Sequence, residues 1–511
     1  MSRDFVRFAK TDSVSADLKR KSVVGALTTG VGTALDFVLR LGSTLVLARL
    51  LVPEHFGLVA MVAAIAQIAE RFSDLGLSTA TVQAPEINHA QCSNLFWINF
   101  LVGLLFAAAM VLFAPVIAAF FGEPRLQGIS VALAFTFVFT GLSLQHQALL
   151  MRQMKLTQLA GNRLASTTIG IGVAVGLAWS GFGYWALVWK QVAQSCALAA
   201  GAWMLCTWIP GRPSRRVNMG RLLKVGRDLT VTQFLFAATS QLDNVLIGKF
   251  FGAITLGWYR QAYNLMMTPV ESLNAPISSV SQPSLSILQF EPDRYRRYYR
   301  RVLVVVSLIT FPIGLFTVIY AHEIVLVALG EQWLGSVVFL RLFGVVAMIQ
   351  PSTGTTGMIL VTRGRTGRYL RLHLVYNTTL LGLMFLGTIW GAVGVATARV
   401  ATLLLVSPWA LYYTLHGSPV STRDFVGAVS KPLMASFAMG ATALLSRNFI
   451  QIDSRIASLA LGFAIAVGTY MVSLALLPGG RKELGGLAAE LLTALRRRSP
   501  KESEPTGGGA G

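Results

Sequence analysis

The chain has 511 residues, 54% of them hydrophobic and only 13% charged, with a mean hydropathy of +0.61 and a formal net charge of +21. A soluble domain carries about 25% charged residues, so this composition excludes one and defines an all-α polytopic membrane protein. The surplus of Lys and Arg lies in short connections between apolar runs, which fits orientation in a bilayer and excludes nucleic acid as the partner.

Some twenty polar and basic residues precede a first apolar run that is too long for a cleavable signal peptide. From there, runs long enough to cross a ~30 Å hydrocarbon layer predict fourteen spans, at about 23–51, 56–78, 94–120, 127–150, 158–179, 182–208, 228–251, 255–288, 302–322, 335–361, 368–389, 391–415, 430–447 and 456–478. Pro269, Pro276 and Pro283 predict a bent or broken eighth span, and Gln350, Pro351, Gly354 and Gly357 a kink in the tenth. The longest outer loop runs from Ala321 to Trp333. Beyond the last span, Glu483 to Arg498 has the pattern of an amphipathic surface helix, and the last ten residues read as disordered.

With the N-terminus in the cytoplasm, 32 of the 43 Lys and Arg fall on inner segments, three (Arg125, Arg447, Arg455) on outer loops and eight within spans. One span more or fewer would invert every later loop and destroy this 32:3 asymmetry. The basic inner loops read first as orientation signals and anionic-lipid contacts; recruitment of the headgroup of a lipid-linked donor is the alternative reading. Cys92, Cys196 and Cys206 form neither a disulfide framework nor a zinc motif, and the histidines, His146 and His373 among them, show no metal spacing.

The eight cations within spans are Arg40, Arg49, Arg71, Lys190, Lys249, Arg260, Arg341 and Arg399. A cation at mid-bilayer costs about 2.5–3.5 kcal/mol, so these are expected to face a wet internal cavity, suited to a bulky anionic substrate. The candidate substrate-binding set is Arg40, Arg49, Lys190, Lys249, Arg260, Arg341 and Arg399, with Arg40 and Arg399, one in each half, as the main cavity cations. Arginine pairs charge-assisted hydrogen bonds on phosphates and acidic sugars. Arg40 also lies four residues after Asp36, the spacing of a salt bridge on one helix face. Arg49 and Lys249 sit near the outer ends of their spans, where snorkelling to the interface is the competing role. Glu70, Arg71 and Asp74 form a gating or loop-anchoring cluster at the inner end of span 2. Asp243 and Glu271 are the remaining acids, one a candidate partner for Lys249 and either a candidate for coupling to H+ or Na+.

Leu47-Ala-Arg-Leu-Leu-Val-Pro-Glu-His-Phe-Gly57 is similar to Ile247-Gly-Lys-Phe-Phe-Gly-Ala-Ile-Thr-Leu-Gly257 at an offset of 200, which sets Arg49 on Lys249 and Gly57 on Gly257. Each copy lies at the outer end of the first span of a six-span half. Duplicated halves of this kind are typical of carriers, with the substrate between them.

The stretches Leu47-Ala-Arg-Leu-Leu-Val-Pro-Glu-His-Phe-Gly-Leu-Val-Ala-Met61, Phe72-Ser-Asp-Leu-Gly-Leu-Ser-Thr-Ala80, Phe96-Trp-Ile-Asn99 and His146-Gln-Ala-Leu-Leu-Met-Arg152 together resemble the oligosaccharide flippases of the multidrug/oligosaccharidyl-lipid/polysaccharide exporter superfamily, colanic-acid and succinoglycan exporters above all. The detailed match covers about the first 165 residues. The resemblance implies two six-helix lobes in a V, at 1–208 and 209–415, two further helices within 416–480 and a cytoplasmic tail at 481–511. It implies a non-enzymatic, alternating-access flippase in a bacterial inner membrane, both termini cytoplasmic. Its cargo would be undecaprenyl-pyrophosphate-linked oligosaccharide, and a polysaccharide polymerase and chain-length proteins would be its partners beside membrane lipids. A peptidoglycan-precursor flippase and an ion-coupled drug exporter are the alternatives within the superfamily. The balance of eight basic to five acidic membrane ions disfavours the drug exporter, and no nucleophile–base pair, metal motif or phosphate-cradling loop supports an enzyme.

Overall fold

The computed structural model describes residues 18–73, 76–84, 86–214, 220–449 and 454–478. Among these residues there are fourteen long helices and no strand. In chain order they are α1 (Leu18–Leu50), α2 (Pro53–Ser73), α3 (His89–Leu112), α4 (Arg125–Arg152), α5 (Leu156–Trp179), α6 (Trp185–Leu205), α7 (220–251), α8 (253–287), α9 (Pro292–Ala328), α10 (Ser336–Thr362), α11 (Thr366–Gly387), α12 (Gly391–Leu415), α13 (Thr422–Phe449) and α14 (Arg455–Leu476). The amphipathic and disordered segments expected beyond residue 478 lie outside the described residues.

Eight helical stretches are long and apolar enough to cross a membrane by length and composition, one of them running through both α11 and α12. The long helices not among them are α2 and α5 to α8. These carry most of the polar groups of the candidate site. α1 and α3 to α6 pack into one lobe and α7 to α12 into the other, α2 lies against α7 and α8, and α13 and α14 pack on α9. Lipid tails give helices no hydrophobic reason to associate, so close backbone approach at small residues does the work. A Cβ on Gly103 would stand 2.6 Å from the Phe137 carbonyl where α3 crosses α4, and one on Gly314 2.6 Å from the Gly344 carbonyl where α9 crosses α10.

The backbone leaves helical conformation at other places than the proline-rich stretches. The eighth span stays helical through Pro269, Pro276 and Pro283, and the chain breaks before it, at Gly252. Gly252 has φ 79° and ψ 178°, a conformation open to glycine alone. α10 likewise remains helical through Pro351. The 320s loop is mostly helix: α9 turns at Tyr320 and continues to Ala328 before a single 3-10 turn, Glu331–Trp333. The third span is interrupted at Phe113, where Pro115 opens a short helix, Ala114–Phe121.

At the end of the bundle where the described chain begins and finishes, here the terminal end, the basic run after Pro292 is the first turns of α9. Tyr295 and Tyr299, one turn apart, point inward, with hydroxyls 2.8 Å from Thr362 Oγ1 and 3.0 Å from Thr355 Oγ1 on α10. Arg296, on another face, donates to Asp424 at 2.6 Å. Asp424 also closes a capping box, accepting from Ser421 N at 3.0 Å and Ser421 Oγ at 2.6 Å. Burial opposes ionisation of this carboxyl, but the bonds from Arg296 and Ser421 hold it down at about 2. Its contribution is therefore present above the unfolded-chain value of about 3.9 and lost as pH falls toward the folded value. Thermal unfolding in detergent should show acid destabilisation between about pH 4 and 2 that Asp424→Asn flattens.

Also at this end, the segment after α6 is strapped along α3. Ser214 N donates to Asn94 Oδ1 and Asn94 Nδ2 to Ser214 O, both at 2.8 Å; Gly211 N donates to Ser93 Oγ at 2.9 Å and Trp97 Nε1 to Gly211 O at 2.9 Å.

Candidate functional site

In the second lobe, Asp243 on α7 is the hub. Its Oδ2 accepts from Arg399 Nη2 of α12 at 2.5 Å and from Tyr259 OH of α8 at 2.6 Å, and its Oδ1 accepts from the Asn244 amide at 2.9 Å. The expected pairing of Asp243 with Lys249 does not occur. Six residues along a helix carry Lys249 to another face, whereas α12 brings Arg399 opposite Asp243. The side chains of Asp243 and Arg399 are 3% and 14% exposed. Tyr263, one turn after Tyr259, lies under two cations, with ring-centroid distances of 5.7 Å to Arg260 and 5.8 Å to Arg399. Its hydroxyl donates to Glu271 at 2.9 Å. Arg260 and Arg399 are thus balanced within this lobe by Asp243 and Glu271.

The first lobe is built differently. Asp36 and Arg40 of α1 form the i,i+4 bridge that the spacing suggested, at 2.8 Å. The same carboxylate accepts from Thr167 Oγ1 of α5 at 2.9 Å and lies 3.6 Å from Arg163 Nη2. Next along α1, Ser43 Oγ meets Lys190 Nζ of α6 at 3.3 Å, and Lys190 is within electrostatic reach of Arg40. Asp36 therefore pairs two cations, Arg40 and Arg163, and Lys190 beside them is held by a hydroxyl and not by a carboxylate. Asp36 is buried, while Arg40 and Arg163 are 43% and 66% exposed. At the repeat offset of 200, Ser43 falls on Asp243: the α6 cation finds a hydroxyl where the α12 cation finds a carboxylate.

At the far end of the bundle the repeat is visible as reciprocal contact. A Cβ on Gly57 would run into the carbonyl of Ala253, and one on Gly257 into that of Pro53. These are the same two positions exchanged between copies. Arg49 and Lys249 extend the pattern. Arg49 Nη2 donates to Val327 O at 2.5 Å, near the end of α9, and Lys249 Nζ donates to Phe120 O, at the end of the short helix after α3. Gln332 Nε2 and Trp333 Nε1 both donate to Ala48 O at 2.8 Å. The two repeat cations clasp the opposite lobe. Between the lobes, nearer the middle, Gln241 Nε2 donates to Gln67 Oε1 at 3.1 Å.

Among the other expected residues, Arg341 is exposed on α10 without an ion pair among the described residues, and Glu70 is exposed on α2. The side chain of Arg71, and Asp74 altogether, lie outside what is described. Sequence reasoning missed Ser43, Arg163, Thr167, Tyr259 and Tyr263. The signal available for the tyrosines was their i,i+4 spacing around Arg260. It also placed Arg152 with the loop cations, whereas Arg152 is buried and donates to the Thr81 carbonyl at 3.0 Å, closing the helix Leu77–Gln83.

The helical lobes, their clasped ends and their charge clusters define a multi-pass membrane protein with the architecture of a transporter. The fold is shared with an inward closed conformation of the lipid II flippase MurJ (TM-score 0.73, 13% identity, 88% of this chain and 98% of that one) and with an inward-facing multidrug resistance MATE family transporter (TM-score 0.56, 12% identity, 76% and 98%). The chain belongs to the polysaccharide biosynthesis protein family, whose model matches residues 46–338. It is similar to the lipopolysaccharide biosynthesis protein WzxC of Escherichia coli (24% identity, 83% of this chain and 88% of that one). It is also similar to the succinoglycan biosynthesis transport protein ExoT of Rhizobium meliloti (24%, 96% and 98%).

Proposed function

We propose that the protein flips undecaprenyl-pyrophosphate-linked oligosaccharide repeats from the inner to the outer leaflet of a bacterial cytoplasmic membrane, by alternating access between its lobes, for surface polysaccharide assembly. In this reading the terminal end is cytoplasmic, as the charge asymmetry of the loops favours. The observation that carries the proposal is the first-lobe cluster in which Asp36 pairs Arg40 and Arg163 while Lys190, on Ser43 and within reach of Arg40, has no carboxylate among the described residues. A pyrophosphate supplies the missing negative charge, and the exposed guanidiniums can donate to it in pairs. The second-lobe cluster is charge-balanced and holds α7, α8 and α12 together. Glu271, exposed and hydrogen-bonded to Tyr263, is the acid placed to exchange a coupling proton.

The test is complementation of a deletion strain, with surface polymer and lipid-linked repeats both measured. Arg40→Gln with Lys190→Gln should insert stably yet lose about a hundredfold in flux, because each charge-assisted hydrogen bond lost is worth roughly 1.5–3 kcal/mol. Full rescue by that variant would remove the cationic path. Normal polymer in the deletion strain, with altered efflux of cationic dyes, would move the protein to drug export.

A further inference from the structure

A second cationic site lies on the outside of the second lobe at the terminal end. The α10–α11 connection and the α12–α13 turn enclose an open pocket of about 550 Å³ lined by Arg365, Gly367, Arg368, Arg371, His416 and Gly417. It is far from the central clusters, since His416 stands 17 residues beyond Arg399, roughly 25 Å along α12.

The arginines are fixed in place without being neutralised. Arg363 Nη1 donates to Gly417 O at 3.1 Å, Arg365 Nη1 to His416 O at 3.4 Å and Arg368 Nη1 to His416 O at 3.2 Å. Arg368 Nη2 reaches Tyr413 O, and its guanidinium lies 4.5 Å from the Tyr413 ring centroid. Carbonyls hold a guanidinium but leave its charge intact, and among the described residues no carboxylate pairs with these three arginines or with Arg371. Gly417, at φ 71°, is required here: a Cβ would stand 3.2 Å from Arg365 Nη1. Like charges pre-set in this way are relieved by an anion.

The surroundings indicate which anion. Arg371 is exposed on α11, without an ion pair among the described residues, beside exposed Leu370, and Leu374 and Val375 lie exposed one turn further along. On α12 the rings of Trp409 and Tyr413 stack 5.0 Å apart, and Tyr412 is 66% exposed. Exposed Trp and Tyr between an apolar helix face and a basic rim mark headgroup depth in a bilayer.

We propose that this pocket binds the phosphate of an anionic phospholipid, with the acyl chains along α11. The test is binding of phosphatidylglycerol, phosphatidylcholine or inorganic phosphate to the full chain in mixed micelles, read by native mass spectrometry and thermal unfolding. Phosphatidylglycerol should bind and stabilise, and its affinity should fall about fivefold in Arg371→Gln, with a larger fall in Arg365→Gln. Arg212→Gln, the same charge change on another loop, should behave as wild type. Arg371→Gln removes no hydrogen bond or ion pair among the described residues and keeps the test valid if Arg365→Gln fails to fold. Equal phosphatidylglycerol affinity in wild type and Arg371→Gln would overturn the site. So would inorganic phosphate binding as tightly as the lipid, which would assign the pocket to a soluble phosphate.

Discussion

Asp243→Ala is expected to be among the most damaging single changes to the folded protein. It would strand Arg399, 14% exposed and with its Nε already unpartnered, and leave the buried Tyr259 hydroxyl without an acceptor. Removing one member of a buried pair costs about 3–5 kcal/mol, mostly because the survivor is left charged in a low-dielectric site. Replacing both members costs less for the same reason. Thermal unfolding should therefore rank Asp243→Ala below Asp243→Ala/Arg399→Met, and the double-mutant cycle should show strong coupling. Additive losses would mean that the pair does not hold α7 to α12.

Gly57→Ala is expected to shift the lobes. The added methyl would occupy the space of the Ala253 carbonyl, a backbone atom that cannot rotate away. Overpacking by one methyl costs about 1–3 kcal/mol where side chains can yield, and more is expected where backbone must move. The far end should open. Spin labels at the exposed positions Val116 and Leu334 should report a longer distance, and transport should fail in a protein that still folds. Gly257→Ala should do the same through Pro53. Because one separation relieves both clashes, the double variant should be little worse than either single. An unchanged label distance would show that this crossing does not set the relation of the lobes.

What could be read from the sequence was governed by local spacing. Apolar run length is a property of neighbouring residues, and it predicted fourteen spans where the described residues form fourteen long helices. The Asp36–Arg40 bridge followed from one helical turn, and the offset of 200 surfaced as the exchange of Gly57 and Gly257 across the far end. What could not be read depended on distant partners. Nothing near Asp243 in the chain names Arg399, 156 residues away. Prolines in α8 and α10 suggested bends or kinks, and both helices run on through them, while the break at Gly252 needed only a missing Cβ. Arg49 and Lys249 looked like cavity or interface cations because the carbonyls they reach belong to the other lobe.

The strap along α3 sets a leash. Asn94, Ser93 and Trp97 moor the chain as far as Ser214, and α7 begins at Gly220. Six residue steps, at no more than ~3.6 Å each, span at most about 22 Å. However the halves swing, the start of α7 stays within that radius of the first lobe. The stroke at this corner is capped by chain length alone, and lengthening the connection by a few glycines is the direct way to let it out.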